Sequence, residues 1–484
     1  MKKILIAFVL VQFLLLQTIS AQTKDDKRTK PNIITILVDD MGYADIGANG
    51  STYYETPNID ALAANGIRFT NAYAAAAICS PTRAALMTGK YPARIGITDW
   101  ILADFQGGKV VNDQNPIDYV NTKGKPLSCP PNPLFMELKE TTIAERLKQN
   151  GYTTLHIGKW HLGPEKWYPT QQGFDYNIGG SDLGQPPSYF DPYENYNKDS
   201  VKYNIATLAP RRQGEYLTDR LGDELINFIA QHKNKPFYVN CAPYAVHTPL
   251  EGKKELVEKY KQKKAGEQNN PVYAAMIESL DQNVGKLVKA LDSLHLLENT
   301  VIIFTSDNGG LLPVTNNLGL RSGKGYPYEG GIKIPLIVYW KQHLQKPAII
   351  DQPVITMDIA ATIVNLSGGD QKLEDGNSIL PLLLEPKTKR AEDLFWHFPH
   401  YRGKDVTPYS IVRSGDFKLI RYYDDTPFEL YDLKSDPLEQ RNIYTTHQAQ
   451  ATALEKKLRA WLSEVNAKLP VKNNQTANAA TLKN

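Results

Sequence analysis

Two adjacent pairs of side chains in this sequence are of the kind that hold hard cations. Asp39-Asp40 follows the apolar, β-branched run at residues 33–38, and Asp307-Asn308 follows the similar run at residues 301–305. Three carboxylates and an amide oxygen suit Ca²⁺ or Mg²⁺ rather than zinc, and without a cation the carboxylates would repel one another. A second constellation centres on Cys79, in Ala77-Ile78-Cys79-Ser80-Pro81-Thr82-Arg83 and onward to Gly89. Ser80 reads as an N-cap, Pro81 as the first helical residue and Gly89 as the stop, which sets Cys79 at a helix N-terminus. There the unpaired N–H groups and the helix dipole favour negative charge, and Arg83 adds a permanent cation suited to tetrahedral oxyanions. Lys159, His161, His247 and Lys324 all fall at strand ends or in loops. An anion-binding site with a sulfur at its mouth is the chemistry these groups imply.

Such a site needs several strands ending at one edge, and the hydrophobic pattern supplies them. Residues 57–65 read as a helix closed by Gly66, followed by a strand at 67–73. Thr142 and Glu145 form a capping box that opens a helix ending at Gly151, before a strand at 152–157. Leu221, Leu225, Phe228 and Ile229 mark an amphipathic helix ahead of a strand at 236–241. Ile277, Leu280, Val284, Leu287, Val288 and Leu291 repeat at helical spacing ahead of the run from Val301, and residues 334–340 read as one more buried strand. This alternation predicts an α/β fold with a mainly parallel central sheet flanked by helices, ligands binding outside the strands' carboxyl ends. After about residue 375 the pattern shifts to short strand-like runs at 409–423 and 428–433 and a helix at 448–465, a smaller antiparallel-sheet subdomain packed with a helix. The expected organisation is a signal peptide at 1–21, a catalytic α/β domain at 22–375, a C-terminal α+β subdomain at 376–466 and an unstructured tail at 467–484.

Composition narrows the class. The chain has 484 residues, 42% hydrophobic and 22% charged, with a formal net charge of +3 that gives no support for a nucleic-acid partner. Lys2 and Lys3, the apolar stretch at 4–16 and the small Ala21 have the pattern of a cleaved signal peptide. The apolar run is shorter than the ~20 residues of a membrane span. The expectation is an exported protein, periplasmic or secreted, without stable membrane insertion. Three cysteines are too few, and odd in number, for a disulfide framework; Cys129 and Cys241 are either paired or two separate buried thiols.

The segment Cys79-Ser80-Pro81-Thr82-Arg83 with its trailing Leu86-Met87-Thr88-Gly89 resembles the first signature of the formylglycine-dependent (type I) sulfatases of the alkaline-phosphatase superfamily. Gly151-Tyr152-Thr153-Thr154-Leu155-His156-Ile157-Gly158-Lys159-Trp160-His161 resembles the second. Asp39-Asp40 and Asp307-Asn308 match the family's metal-ligand pairs, and residues 428–437 resemble a segment of its C-terminal subdomain. The resemblance spans roughly residues 31–465.

It implies that a maturation enzyme converts Cys79 to Cα-formylglycine (3-oxoalanine), whose hydrate attacks sulfur and later expels sulfate. Arg83 and Lys159 would steady the hydrate and the sulfate, His161 would act as the base of the elimination, and Asp307 would help to deprotonate the attacking hydroxyl. His247 and Lys324 would contact the sulfate and the leaving oxygen, His247 being the better general acid. The metal, Ca²⁺ or alternatively Mg²⁺, would be held by Asp39, Asp40, Asp307, Asn308 and the modified Cys79. Ser181, in Gly179-Gly180-Ser181-Asp182, is the candidate for a serine the family often adds. Trp100 and the group Trp396-His397-Phe398-Pro399-His400-Tyr401 offer rings for a sugar, so Trp100, His397 and His400 are candidate substrate contacts, although packing accounts equally well for Trp396 and Phe398. The expected substrate is a sulfated saccharide of galactose or N-acetylgalactosamine type. Two alternatives stand beside this: a phosphatase or phosphonate hydrolase of the same superfamily, which keeps Ser or Thr as nucleophile, and a non-catalytic binder of sulfated glycans.

Overall fold

The structure, a computed structural model, describes residues 30–473 except Gln342, Gln345, Asp370 and Gln371; the expected signal peptide lies outside the described residues. Strand β1 (Asn32–Val38) is buried at every position. Ile34, Ile36 and Val38 enter one core while Ile33 and Leu37 enter another on the opposite face. Burial on both faces is why this strand reads as a continuous apolar run.

β1 lies inside an eight-stranded sheet. The other strands are β2 (Ile67–Phe69), β3 (Thr153–Gly158), β4 (Tyr176–Ile178), β5 (Phe237–Ala242), β6 (Thr300–Ser306), β7 (Leu336–Tyr339) and β8 (Ala348–Ile350), in the order β8-β2-β7-β6-β1-β5-β3-β4. From β6 to β4 every neighbour is parallel, with Val38 opposite Ser306 and Ala242 opposite Gly158. Five carboxyl ends therefore come level at one edge. β7 runs antiparallel to both β6 and β2, a reversal that an apolar run, having no direction of its own, does not signal.

Helices α1 (Pro57–Asn65), α4 (Leu217–His232) and α5 (Pro271–Ser293) cover one face, and α2 (Cys79–Thr88), α3 (Ile143–Gln149) and α6 (Thr356–Leu366) the other. Local chemistry sets their ends. Asn270 accepts hydrogen bonds from the N–H groups of Val272 and Tyr273 ahead of Pro271 at the start of α5. Thr142 and Glu145 close the expected capping box on α3. No helix among the described residues is long and apolar enough to cross a membrane.

Toward the C-terminus β9 (Leu394–Phe398), β10 (Tyr409–Ser414), β11 (Phe417–Tyr422) and β12 (Glu429–Asp432) form an antiparallel meander. Helix α7 (Gln448–Glu464) buries Leu454, Leu458, Trp461 and Leu462 against it. Strand β9 overlaps the aromatic group at 396–401, whose composition suits core packing or a pocket and does not by itself signal a strand. Val471–Lys472 pair with Leu127–Ser128, so a short strand lies within the stretch expected to be unstructured from residue 467. Cys129 and Cys241 are not disulfide-bonded; burial pushes their thiols up to about 11 and about 12, which leaves them inert.

The meander is tied to the main body by a buried ionic knot. Lys418 of β11, wholly buried, lies 3.1 Å from Glu329 Oε1 and 2.8 Å from Glu439 Oε1. The Glu329 carboxylate also accepts from the Tyr73 hydroxyl at 2.8 Å, and Glu439 accepts from the Glu329 N–H at 2.7 Å. Lys418→Met would leave two buried carboxylates facing each other without their cation. The expected cost is about 3–5 kcal/mol in chemical denaturation; a loss below about 1 kcal/mol would show that the knot does not hold the meander.

Candidate active site

The level strand ends collect the charged groups. Asp39 N–H donates to Ala245 O at 3.0 Å, Asp307 N–H to Val38 O at 3.0 Å, and Lys159 N–H to Ala242 O at 2.7 Å. Each bond carries the ladder one step past a strand and locks the side chain that follows. Lys159 Nζ lies 2.9 and 2.8 Å from the two oxygens of Asp39. Arg83, reaching in from α2, donates to Asp307 Oδ2 from Nε at 2.9 Å and to Lys159 O from Nη1 at 2.8 Å. Lys324 Nζ sits 2.6 and 2.8 Å from the Asp40 oxygens, Asn308 Nδ2 donates to Asp40 Oδ1 at 2.9 Å, and His247 Nε2 is 3.6 Å from Asp40 Oδ2. Apart from His247, these residues are buried. Asp40 and His161 hold left-handed backbone angles, φ 62° and 59°, uncommon for residues with side chains and frequent at functional sites.

Charge balance sets the protonation states. Burial raises the Asp39 carboxyl despite Lys159 and Arg83, and raises Asp307 to about 6, with Asp39 beside it adding to the effect. Burial would raise Asp40 too, but Lys324, His247 and Lys159 outweigh it and hold this carboxyl below the usual range. Lys324 is in turn held above its ordinary value, burial being outweighed by Asp40. Burial, then Lys324, pushes His247 down to about 3, and burial with Lys159 pushes His161 well below its ordinary value. Both imidazoles are therefore neutral at neutral pH.

One atom stands out in the oxygen set. Asn308 Oδ1 is buried with no hydrogen-bond partner, although its Nδ2 is fully engaged. Asp39, Asp40 and His247 each offer a ligand atom within 4.8 Å of the others. An orphaned amide oxygen among three carboxylates fits a hard divalent cation.

Helix α2 begins at Cys79 itself, with Ile78 in the cap position and no side-chain cap. This departs from the expected Ser80 cap. The Ser80 hydroxyl instead accepts from Ile101 N–H at 3.0 Å, and Thr82 exchanges hydrogen bonds with the Ala76 backbone. The N-terminal N–H groups of the helix are thus left without a side-chain partner beside Cys79. Gly89 ends the helix as expected, with φ 68°.

Cys79, His161, His247 and Lys324 face one cavity of about 600 Å³. Trp100 lines it as well, whereas Arg83 and Lys159 act from behind the wall. His400 borders an adjoining hollow of about 240 Å³ that shares Asp99, Trp100 and Tyr401, and its Nε2 is 2.7 Å from Thr98 Oγ1. His397 is not brought to the site. The alternation of β9 turns it to Ser410 and the Lys468 carbonyl, and Trp396 donates to Ala74 O within the core. Ser181 also lies off the cavity: its carbonyl accepts from His161 N–H at 2.9 Å and its hydroxyl accepts from Leu183 N–H at 3.3 Å, so it supports His161 from behind. Sequence reasoning missed Asp99, Gln106, Gln185 and Arg402 on the cavity wall. Loop polar residues without a motif carry no signal that separates them from solvated surface.

A family model described as Sulfatase matches residues 31–369, and one described as N-sulphoglucosamine sulphohydrolase, C-terminal, matches residues 322–468. A protein named Sulfatase from Formosa agariphila is 32% identical over 93% of this chain and 91% of its own. The N-acetylgalactosamine-6-sulfatase of Mus musculus is 32% identical over 86% of this chain and 77% of its own. Among solved structures, Ps i-CgsB in complex with k-i-k-neocarrahexaose matches with a TM-score of 0.73 and 30% identity, over 90% of this chain and 93% of that one. Fold and site define a hydrolase of anionic esters. The chain belongs to the sulfatase family and is a sulfuric ester hydrolase.

The wall behind His161 admits one sharp test. A Cβ built on Gly184 would lie 2.6 Å from His161 Cε1 and 2.8 Å from Nε2, so the ring must leave the Ile101 carbonyl it now holds at 2.7 Å. Gly184→Ala is expected to lower kcat on an aryl sulfate by ~10²-fold, the scale of an ångström-sized misplacement, with little change in thermal midpoint. Unchanged kcat would remove His161 from the chemistry.

Proposed function

We propose that this sulfatase removes sulfate from sulfated carbohydrates of galactose or N-acetylgalactosamine type, with Cys79 converted to Cα-formylglycine and Ca²⁺ as its metal. The observation that carries the reading is Cys79 at an uncapped helix N-terminus, on the wall of a cavity shared with Lys324 and two neutral histidines. The N-acetylgalactosamine-6-sulfatase relative and the neocarrahexaose complex of Ps i-CgsB support a carbohydrate substrate. Export, with loss of residues 1–21, belongs to the same reading.

Asp39, Asp40, Asp307 and Asn308 would hold the cation, which supplies positive charge to polarise a sulfate oxygen. The modified Cys79 side chain supplies, as its hydrate, an oxygen nucleophile and a second hydroxyl for regeneration. The remaining work falls to protein groups. The carbonyl of Ile101 accepts only, so His161 Nε2 carries the proton and Nδ1 keeps its lone pair. That Nδ1 is buried without a partner, which makes it the atom to take a proton in the elimination. On the other side His247 Nδ1–H donates to Thr248 O at 2.8 Å, which turns Nε2 toward Asp40. The proton given up by the attacking hydroxyl, once on Nε2, would be stabilised by Asp40 and would pass to the leaving oxygen. Lys324, kept charged by Asp40, stays in place to bind the sulfate. Arg83 and Lys159 hold Asp307 and Asp39 still, and burial of the whole cluster keeps bulk water from competing.

Two measurements test this. After co-expression with a formylglycine-generating enzyme, the peptide carrying residue 79 should show the mass change from thiol to aldehyde, and Cys79→Ala should abolish hydrolysis of 4-nitrophenyl sulfate without altering the thermal midpoint. Turnover retained by that variant would sink the mechanism, and a preference for 4-nitrophenyl phosphate would favour a phosphatase. Separately, dialysis against a chelator should lower kcat/KM by ~10²-fold or more, the loss typical of removing one preorganised electrostatic group. Ca²⁺ should restore the rate better than Mg²⁺; full activity in metal-free enzyme would exclude the cation.

A further inference from the structure

We propose that Arg402 forms a second anion subsite in the cavity, so that the preferred substrate carries another oxyanion besides the sulfate removed: a further sulfate ester or a uronate carboxylate. The proposal rests on the sulfatase reading and names the substrate class within it.

Two permanent cations line the cavity, Lys324 and Arg402. Lys324 is committed to Asp40 through both carboxylate oxygens. Arg402 has no ion pair and no side-chain hydrogen bond among the described residues, and it is half-buried. Every other arginine or lysine brought to this centre is paired: Arg83 with Asp307, and Lys159 with Asp39. An unpaired guanidinium in a concave wall is the group whose fork of donors matches a carboxylate or sulfate.

Arg402 is also seated rather than waving in solvent. Its backbone exchanges two hydrogen bonds with Val406, at 3.0 and 3.2 Å, closing the loop 403–405. Its side chain lies across Gly325, where a Cβ would come within 2.6 Å of Nε and 2.8 Å of Cδ. Gly325, at φ 88°, donates to Ala77 O at 2.7 Å, so the seat of Arg402 is pinned between Lys324 and the segment leading into Cys79. The stem of the side chain is therefore held against the turn that joins Lys324 to the segment leading into Cys79. Asp99, on the same wall, is the nearby acid. Burial pushes its carboxyl up to about 7 even though Trp100 N–H and Arg402 pull it down, so it does not supply a full counter-charge at neutral pH. Its free oxygen is better suited to a sugar hydroxyl. Gln106 and Gln185 complete a polar rim that can bind hydroxyls but adds no charge.

The test uses the full protein with Cys79→Ala, which permits titration calorimetry without turnover. The probes are N-acetylgalactosamine 6-sulfate, N-acetylgalactosamine 4,6-disulfate and a monosulfated disaccharide bearing a glucuronate. At least one doubly anionic probe should bind at least about tenfold more tightly than the singly charged one, the scale of one charge-assisted contact. Arg402→Gln should erase that preference and Arg402→Lys should keep part of it. Which probe gains tells whether the second anion is a sulfate or a carboxylate. No preference for either probe, or one that survives Arg402→Gln, overturns the subsite. Hydrolysis of 4-nitrophenyl sulfate by the unaltered enzyme is measured in parallel. Its absence would overturn the sulfatase reading alone, since the calorimetry decides Arg402 independently.

Discussion

Three carboxylates and three cations buried together at the carboxyl edge of the parallel strands are the constraint from which the rest of this site follows. In a low-dielectric interior an uncompensated charge costs several kcal/mol, so each carboxylate must meet a cation and each cation a carboxylate. Different elements deliver them: Asp39 and Asp40 follow β1, Asp307 follows β6, Lys159 follows β3, Arg83 comes from α2 and Lys324 from the loop ahead of β7. The pairing thus fixes where α2 lies against the sheet edge, and with it the position of Cys79. Function and fold share one set of ion pairs here.

Much of this was readable from the chain because parallel strands buried on two faces leave unbroken apolar runs, and the residue after each run is forced to the sheet edge. Asp39, Asp307 and Lys159 were located by that rule alone. The helix starts were less legible. Ser80 has the right residue type for a cap, but Ile101 N–H competes for its hydroxyl, and no local pattern reveals a partner 21 residues away. β9 was hidden by its own composition, since Trp396 and Phe398 fit a core strand or an aromatic pocket equally well. His397 shows how that ambiguity propagates: once β9 is a strand, alternation decides which ring meets the cavity. Ser181 reads as a site residue by position, yet it acts through its carbonyl on His161.

The chemistry and the selection of substrate are built by different parts of the molecule. The ends of the central strands, helix α2 and the loop ahead of β7 supply the groups that hold charge at the reacting centre. The opposite wall comes from loops, Asp99 and Trp100 after α2 and Tyr401 to Gly403 after β9. The meander that carries β9 is anchored by the Lys418 knot rather than by the catalytic cluster. Loops on a separately secured support can vary without disturbing the ion pairs beneath.

The charge balance at the centre limits what the site can bind. Asp39, Asp40 and Asp307 cancel Arg83, Lys159 and Lys324, and the two histidines are neutral, so the protein groups sum to about zero. A neutral cluster has no long-range attraction for a sulfate ester, whose single negative charge must be drawn out of water. The uncapped N-terminus of α2 contributes only a partial charge. A divalent cation in the oxygen set would make the centre net positive by two, enough to offset the scissile sulfate and the charge that grows on the leaving oxygen. Of the three protein cations Lys324 lines the cavity, whereas Arg83 and Lys159 are turned to their carboxylates. They hold Asp307 and Asp39 in register for the cation that the oxygen set would bind, and this accounts for two residues that look like anion binders in the sequence facing inward to acids.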